Sequence, residues 1–181
     1  MKKIIVLTGI LLIGLASFKN GSTPFPKMSC NKLSGGAFAV PDSIKNGKYS
    51  LVGIAFSKKA EQNLATWFTP SYQSFIQKKK TLFADEVYDV NTYFIAVITG
   101  ANKAVADEAI KQLKANTPVE LQPYVLSYVG EFASYKKTLN ISNPDDPYFF
   151  VLDKTGNVVH QTSGAYTAGK MDAIKDAIDG E

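Results

Sequence analysis

The sequence predicts an α/β sandwich, with helices covering both faces of one sheet. Three observations carry this. Short apolar runs, "SLVGIAF", "YFIAVI" and "YVLSYV", recur along the chain. Segments with apolar residues at helical spacing separate them. The stretch "PDDPYFFVLDKTGNVV", Pro144 to Val159, then reads as a proline, a buried strand, a tight turn and a second strand.

The elements follow in order. Ser50–Phe56 is an almost continuous apolar run, as expected of a strand covered on both faces. Leu64, Trp67, Phe68, Tyr72, Phe75 and Ile76 make one helical stripe. Pro70 inside that stripe should kink the helix, because it lacks a backbone donor. Tyr93–Ile98 is a second buried strand, and Ala101–Lys114 a helix with Val105, Ala109, Ile110 and Leu113 inward. Tyr124–Val129 reads as a third strand. A short helix over Glu131–Leu139 sets Phe132, Tyr135 and Leu139 on one side. Pro147 cannot donate to a sheet ladder, so it belongs at the start of the strand through Leu152. Asp153 opens the next turn, and Gly156 tolerates the left-handed backbone that closes it. Thr167 is a suitable N-cap for a last helix through Met171, Ile174 and Ile178.

At 181 residues the chain is long enough for one domain with its own core, and no repeat or second linker divides it. Residues 17–31 are rich in Gly, Ser, Pro, Lys and Asn and read as a disordered leader, leaving 32–181 as the ordered domain. Residues 1–16 read as a signal peptide. Lys2-Lys3 is the basic start, Ile4–Leu15 the apolar core, and Gly14 and Ala16 the small residues before a cleavage site. That core is shorter than the ~20 residues a bilayer span needs. The expectation is export to a bacterial periplasm or envelope with no stable span in the mature chain; the alternative is an uncleaved anchor. The net charge of +4 includes those two lysines. No basic run exceeds Lys78-Lys79-Lys80, which argues against nucleic acid as a partner.

Cys30 is the only cysteine, so intrachain disulfides, CxxC pairs and thiolate clusters are excluded. Lipid attachment, dimerisation through the thiol and an idle thiol remain open for it. His160 is the only histidine and reads as a strand-edge residue, which leaves no His-pair metal site. Asp145 and Asp146 read as loop and turn chemistry, with acid/base or Ca²⁺ roles as the alternative. Asp85, Glu86 and Asp89 read as a solvated loop. No cofactor is expected. Lys58 and Lys59 at a helix start have the chemistry to attract a carboxylate or phosphate, against the plain reading of solvated lysines.

The order of elements, with "SLVGIAFS" leading into a helix, "PYFFVLDKTGNVV" and the closing "SGAY…MDAIKDAI", resembles thioredoxin-like domains of the peroxiredoxin and periplasmic-thioredoxin type. The resemblance implies a thioredoxin-like three-layer α/β/α sandwich with a mixed central sheet. It also implies a nucleophilic cysteine at the start of the helix after the first central strand, where the helix end stabilises a thiolate. Here "AFSKKAEQNLATW" puts Ala60 and Asn63 at those positions, and no cysteine follows Cys30. The segment "SLVGIAFSKKAEQNLATW" is similar to the equivalent part of mitochondrial ATP-synthase assembly factors, whose thioredoxin-like domain lacks the redox pair. The signal peptide argues against a matching role, so the resemblance implies a cysteine-free binding module.

The expected function is therefore an exported, redox-inactive protein that binds a protein or extended peptide in the groove thioredoxin folds keep. The resemblance places Lys58, Lys59, Ala60, Glu61, Asn63, Asp146, Pro147 and Tyr148 along it. It also implies a cis Asp146–Pro147 bond, with the Asp146 backbone turned to the ligand. No thiol catalysis is expected. The alternatives are a non-thiol enzyme using these lysines and carboxylates, or a purely structural envelope domain.

Overall fold

The computed structural model describes residues 23–77, 88–100 and 103–180. Its strands are β1 (Thr23–Pro24), β2 (Met28–Lys32), β3 (Ala37–Val40), β4 (Ser50–Ala55), β5 (Asn91–Ile98), β6 (Val125–Val129), β7 (Tyr148–Leu152) and β8 (Asn157–Ser163). Its α-helices are α1 (Lys58–Ser71), α2 (Lys103–Asn116), α3 (Ala133–Thr138) and α4 (Ala168–Asp179). The strands form one sheet in the order β1-β8-β7-β4-β5-β6-β2-β3. β4, β5 and β6 run parallel, while β7 joins β4, and β2 joins β6, antiparallel. The sheet is mixed, as expected.

Burial explains the central strands. Every residue of β4 and β7 is buried, which matches their almost continuous apolar sequence. On one face Leu51, Phe94, Phe149 and Val151 pack under Leu64 and Trp67 of α1 and Met171 and Ile174 of α4. On the other, Val52, Ile95, Leu126 and Phe150 pack under Phe25, Ile44 and the α3 flanks Phe132 and Leu139. Gly53 sits where the sheet is tightest, since a Cβ there would lie 2.9 Å from the Phe149 ring. The hairpin turn forms as its residues dictate. The Asp153 carboxylate accepts from the N–H groups of Thr155 and Asn157 at 2.8 and 2.9 Å, and Gly156 has φ +90°. Burial raises this carboxyl's pKa, but the bonds from Asn157 and Thr155 outweigh it and hold it below the usual range.

Several expectations need correction. Residues 23–31 are not a disordered leader: β1 and β2 lie there, and β2 pairs with both β6 and β3. Met28 and Cys30 alternate with exposed neighbours and face the core, so a polar composition conceals a half-buried strand. Val105 is 58% exposed, and the inward stripe of α2 is Ala106, Ala109, Ile110 and Leu113. Pro70, expected to kink its helix, lies inside α1, and the regular geometry changes just after it: α1 reaches Ser71 and then widens into a π turn, with Gln77 N–H bonded to Tyr72 C=O at 2.8 Å. The cis peptide among the described residues is Val40–Pro41, so Asp146–Pro147 is trans. Residues 1–16, the Lys78–Lys80 run, Asp85 and Glu86 fall outside the described residues, whereas Asp89 pairs with Lys48 at 2.8 Å.

Candidate functional site

The start of α1 follows directly from the end of β4, a junction made by Phe56 and Ser57. Ser57 has extended backbone and caps the helix, its Oγ accepting from Ala60 N–H at 3.0 Å. The loop before β7 faces this start. Ser57 Oγ donates to Asp145 Oδ1 at 3.4 Å, and Lys59 Nζ lies 3.6 Å from Asp145 Oδ2. A carboxylate from the opposite loop thus sits over the positive end of the helix.

The loop is fixed from within. Tyr148 Oη accepts from the N–H groups of Ser142 and Asn143 at 3.1 and 2.9 Å, while Asn143 Nδ2 donates to Asp146 Oδ2 at 2.7 Å. Pro147 C=O accepts from Gly164 N–H at 2.9 Å. The next residues lock the helix, since Trp67 Nε1 donates to Gly164 C=O at 3.0 Å and the Trp67 ring lies 4.1 Å from that of Phe149. An aromatic wall stands beside the helix start: Phe56 stacks near Tyr148 and Phe132, and Lys136 Nζ lies 5.2 Å from the Phe56 ring centre.

The structure brings the expected segments together but divides their residues. Lys58, Lys59 and Glu61 are exposed, with Asn63 and Asp146 half-buried. Ala60, Pro147 and Tyr148 are buried and do not line an open groove. The Asp146 N–H points to Asn143 C=O at 3.4 Å, within its own turn, so that donor is held inside the loop. Ser57, Asp145, Phe56 and Lys136 escaped the sequence reading as site residues. The signal for Asp145 was present in the Asp145-Asp146 pair, but nothing local says which carboxylate reaches across. Burial raises the Glu61 pKa and the nearby Lys58 charge draws it partly back.

Cys30 lies far in sequence from this helix start, on β2, and is 3% exposed. Burial pushes its thiol up to about 12, which suppresses the thiolate and with it nucleophilic chemistry. His160 is half-buried on β8, and burial lowers its pKa while the Asp176 charge opposes that shift.

Solved structures share the architecture. A thioredoxin domain of a thiol-disulfide oxidoreductase from Bacteroides vulgatus matches with TM-score 0.54 and 15% identity, over 87% of this chain and 96% of that one. A member of the Sco family of cytochrome c oxidase assembly proteins matches with TM-score 0.54 and 13% identity, over 86% and 92%. An exposed lipoprotein thioredoxin from Streptococcus pneumoniae matches with TM-score 0.54 and 13% identity, over 83% and 99%. At such identities the likeness is one of fold. Fold and site together define a thioredoxin-like domain whose helix start carries a serine cap and a borrowed carboxylate instead of thiols. The chain belongs to the ATP10 protein family, a family of ATP-synthase assembly factors, whose model matches residues 16–180. The similarity therefore extends well beyond the strand and helix that suggested it. A comparison with curated proteins returned no match.

Proposed function

We propose that this chain is an exported, redox-inactive binding module that holds a protein partner during assembly of an ATP synthase. The observation that carries the reading is the α1 start, where Ser57, Lys59 and Asp145 form a closed polar contact at the position thiol oxidoreductases use for chemistry. A dithiol cycle needs two thiols, and this chain has one, buried in β2. Membership of an assembly-factor family supports protein partners.

The backbone argues for a folded partner surface over an extended peptide. The Asp146 N–H and Pro147 C=O are occupied within the chain. At the sheet's outer strands, Pro24 of β1 has no N–H to donate, and Ala39 N–H on β3 is taken by Ser43 Oγ at 3.1 Å, so both offer an incoming strand fewer donors. What stays open is side chain: Lys58, Lys59 and Asp145, with Phe56 and Lys136 beside them. Among the described residues no helix is long and apolar enough to cross a membrane.

Photo-crosslinking in the native envelope tests this. A crosslinker replacing Lys59 should trap a subunit or precursor of the ATP synthase, whereas one replacing Asp172 on the exposed side of α4 should not. Equal adducts at both positions would overturn the site, and no adduct at either would overturn the binding function. N-terminal sequencing tests export, which an intact Met1 on cytoplasmic protein would refute.

A further inference from the structure

Between α1, α2 and the sheet lies a cavity of about 180 Å³, separate from the Ser57–Asp145 contact. Its walls are apolar, led by Phe68, Phe94 and Leu113, and its polar lining comes from Glu61, Asn116 and Thr117. The Phe68 and Phe94 rings meet edge to face at 5.0 Å. Thr117 Oγ1 is already committed as donor to Leu113 C=O at 2.7 Å, so Glu61 supplies the charge.

Size decides what fits. Cofactor and drug-sized ligands occupy clefts of roughly 300–1,000 Å³, and this cavity is too small for them. A cavity of roughly 150 Å³ accepts one benzene ring, so this one has room for a single large side chain. A shallow concavity of about 350 Å³ adjoins it through Phe68 and extends over Tyr72 and Leu121, enough to seat the flanking residues of a partner.

We propose that this cavity is an anchor pocket for an arginine side chain of the partner protein. The inference rests on the protein-binding reading above and names the chemistry of one contact. Arginine meets both halves of the lining: its methylene stem and planar guanidinium lie well against aromatic rings, and its fork of N–H donors matches a carboxylate. Lysine offers no planar group to the rings. An apolar side chain would fill the cavity but leave the Glu61 carboxylate at its rim unused. Buried arginines are common among the few residues that dominate protein interfaces. Lys58 is the neighbouring cation on α1, but it is exposed and leaves the inner side of Glu61 to an incoming group.

The test is an NMR titration of the full chain with N-acetyl-arginine methylamide and with its neutral citrulline analogue. The arginine probe should shift the methyl signals of Leu64, Leu113 and Val125 saturably, with the citrulline probe about tenfold weaker. Glu61→Gln should reduce arginine binding to the citrulline level, and Leu113→Phe, which fills the pocket, should abolish both. Equal affinity for the two probes, no effect of Glu61→Gln, or no saturable shift would each overturn the proposal. The crosslink from position 59 separates the two readings. If it persists undiminished in Glu61→Gln, the anchor pocket is wrong and the binding function stands. If it is absent from the wild type, the binding function fails, and the arginine titration still decides what the cavity accepts.

Discussion

Native Cys30 should resist alkylation by a factor of roughly a thousand, and this follows from its place on β2. It belongs to the same buried core cluster as Met28, Phe38 and Leu126, and burial raises its pKa from 9.0 to about 12. At about pH 8 that change takes the thiolate from roughly a tenth of the thiol to roughly one ten-thousandth. The 3% residual exposure slows reagent access further. Iodoacetamide labelling read by mass spectrometry, in buffer and in guanidinium chloride, measures the ratio directly. Native labelling within about tenfold of the unfolded rate would refute the argument, as would a disulfide-linked dimer of folded protein. The same shift has a pH signature. The folded pKa is the higher one, so on raising the pH the unfolded chain loses its proton first. The thiol's contribution to stability is whole below about 9 and declines towards 12 by about 1.4 kcal/mol per pH unit. Tyr128, also pushed up to about 12 chiefly by desolvation, titrates in the same window. The Cys30 charge is one of the smaller causes of that Tyr128 shift, so the difference between wild type and Cys30→Ala reports the thiol together with its coupling to Tyr128.

Ser57→Ala removes the α1 cap and the Asp145 contact, and urea unfolding should show a loss of about 1 kcal/mol; an unchanged midpoint would mean that water caps the helix equally well. Trp67→Phe leaves Gly164 C=O without its donor and opens space against Phe149, so it should cost about 2 kcal/mol. That loss should appear with little change in crosslinking from position 59, because Trp67 is fully buried.

The sheet was legible where both faces of a strand are covered. Runs such as Leu51–Phe56 and Phe149–Leu152 have no polar member to obscure them, and Thr167 caps α4 as its residue type suggests, accepting from Lys170 N–H at 3.3 Å. The hairpin of β2 and β3 was harder to see because only one face of it is buried. Its signal was alternation, Met28 and Cys30 before the turn and Phe38 and Val40 after it, around Gly35 and Gly36 at φ +108° and +94°. Polar partners on the exposed face made that pattern resemble a leader. Val105 is the opposite case: this larger apolar residue lies outside at 58% exposure, and the adjacent small Ala106 is the one turned inward at 2%. For the candidate site, the sequence located the two segments that meet but not the atoms that touch. Contacts such as Ser57 to Asp145 depend on a loop conformation set by Tyr148 Oη, which local patterns do not encode.

That contact also explains how a thioredoxin-like helix start persists without its thiols. The first turn of any helix leaves N–H groups without intrahelical partners and carries positive potential. Where a thiolate occupies the position, it satisfies both demands. With Ala60 and Asn63 there instead, the hydrogen-bonding demand falls to Ser57 Oγ, which takes the Ala60 N–H, and the charge demand to Asp145. Asp145 is not a strong substitute: its side chain is 49% exposed, and its 3.6 Å pairing with Lys59 is of the surface kind, worth at most about 1 kcal/mol. A weak, solvent-facing ion pair is easily exchanged for contacts to another protein, because little stability is lost when it opens. A buried pair would not permit that, since breaking it costs roughly 3–5 kcal/mol. The absence of a cysteine pair at this helix start therefore leaves a surface of modest energy, held between α1 and the loop before β7. That combination suits reversible protein contact better than covalent catalysis.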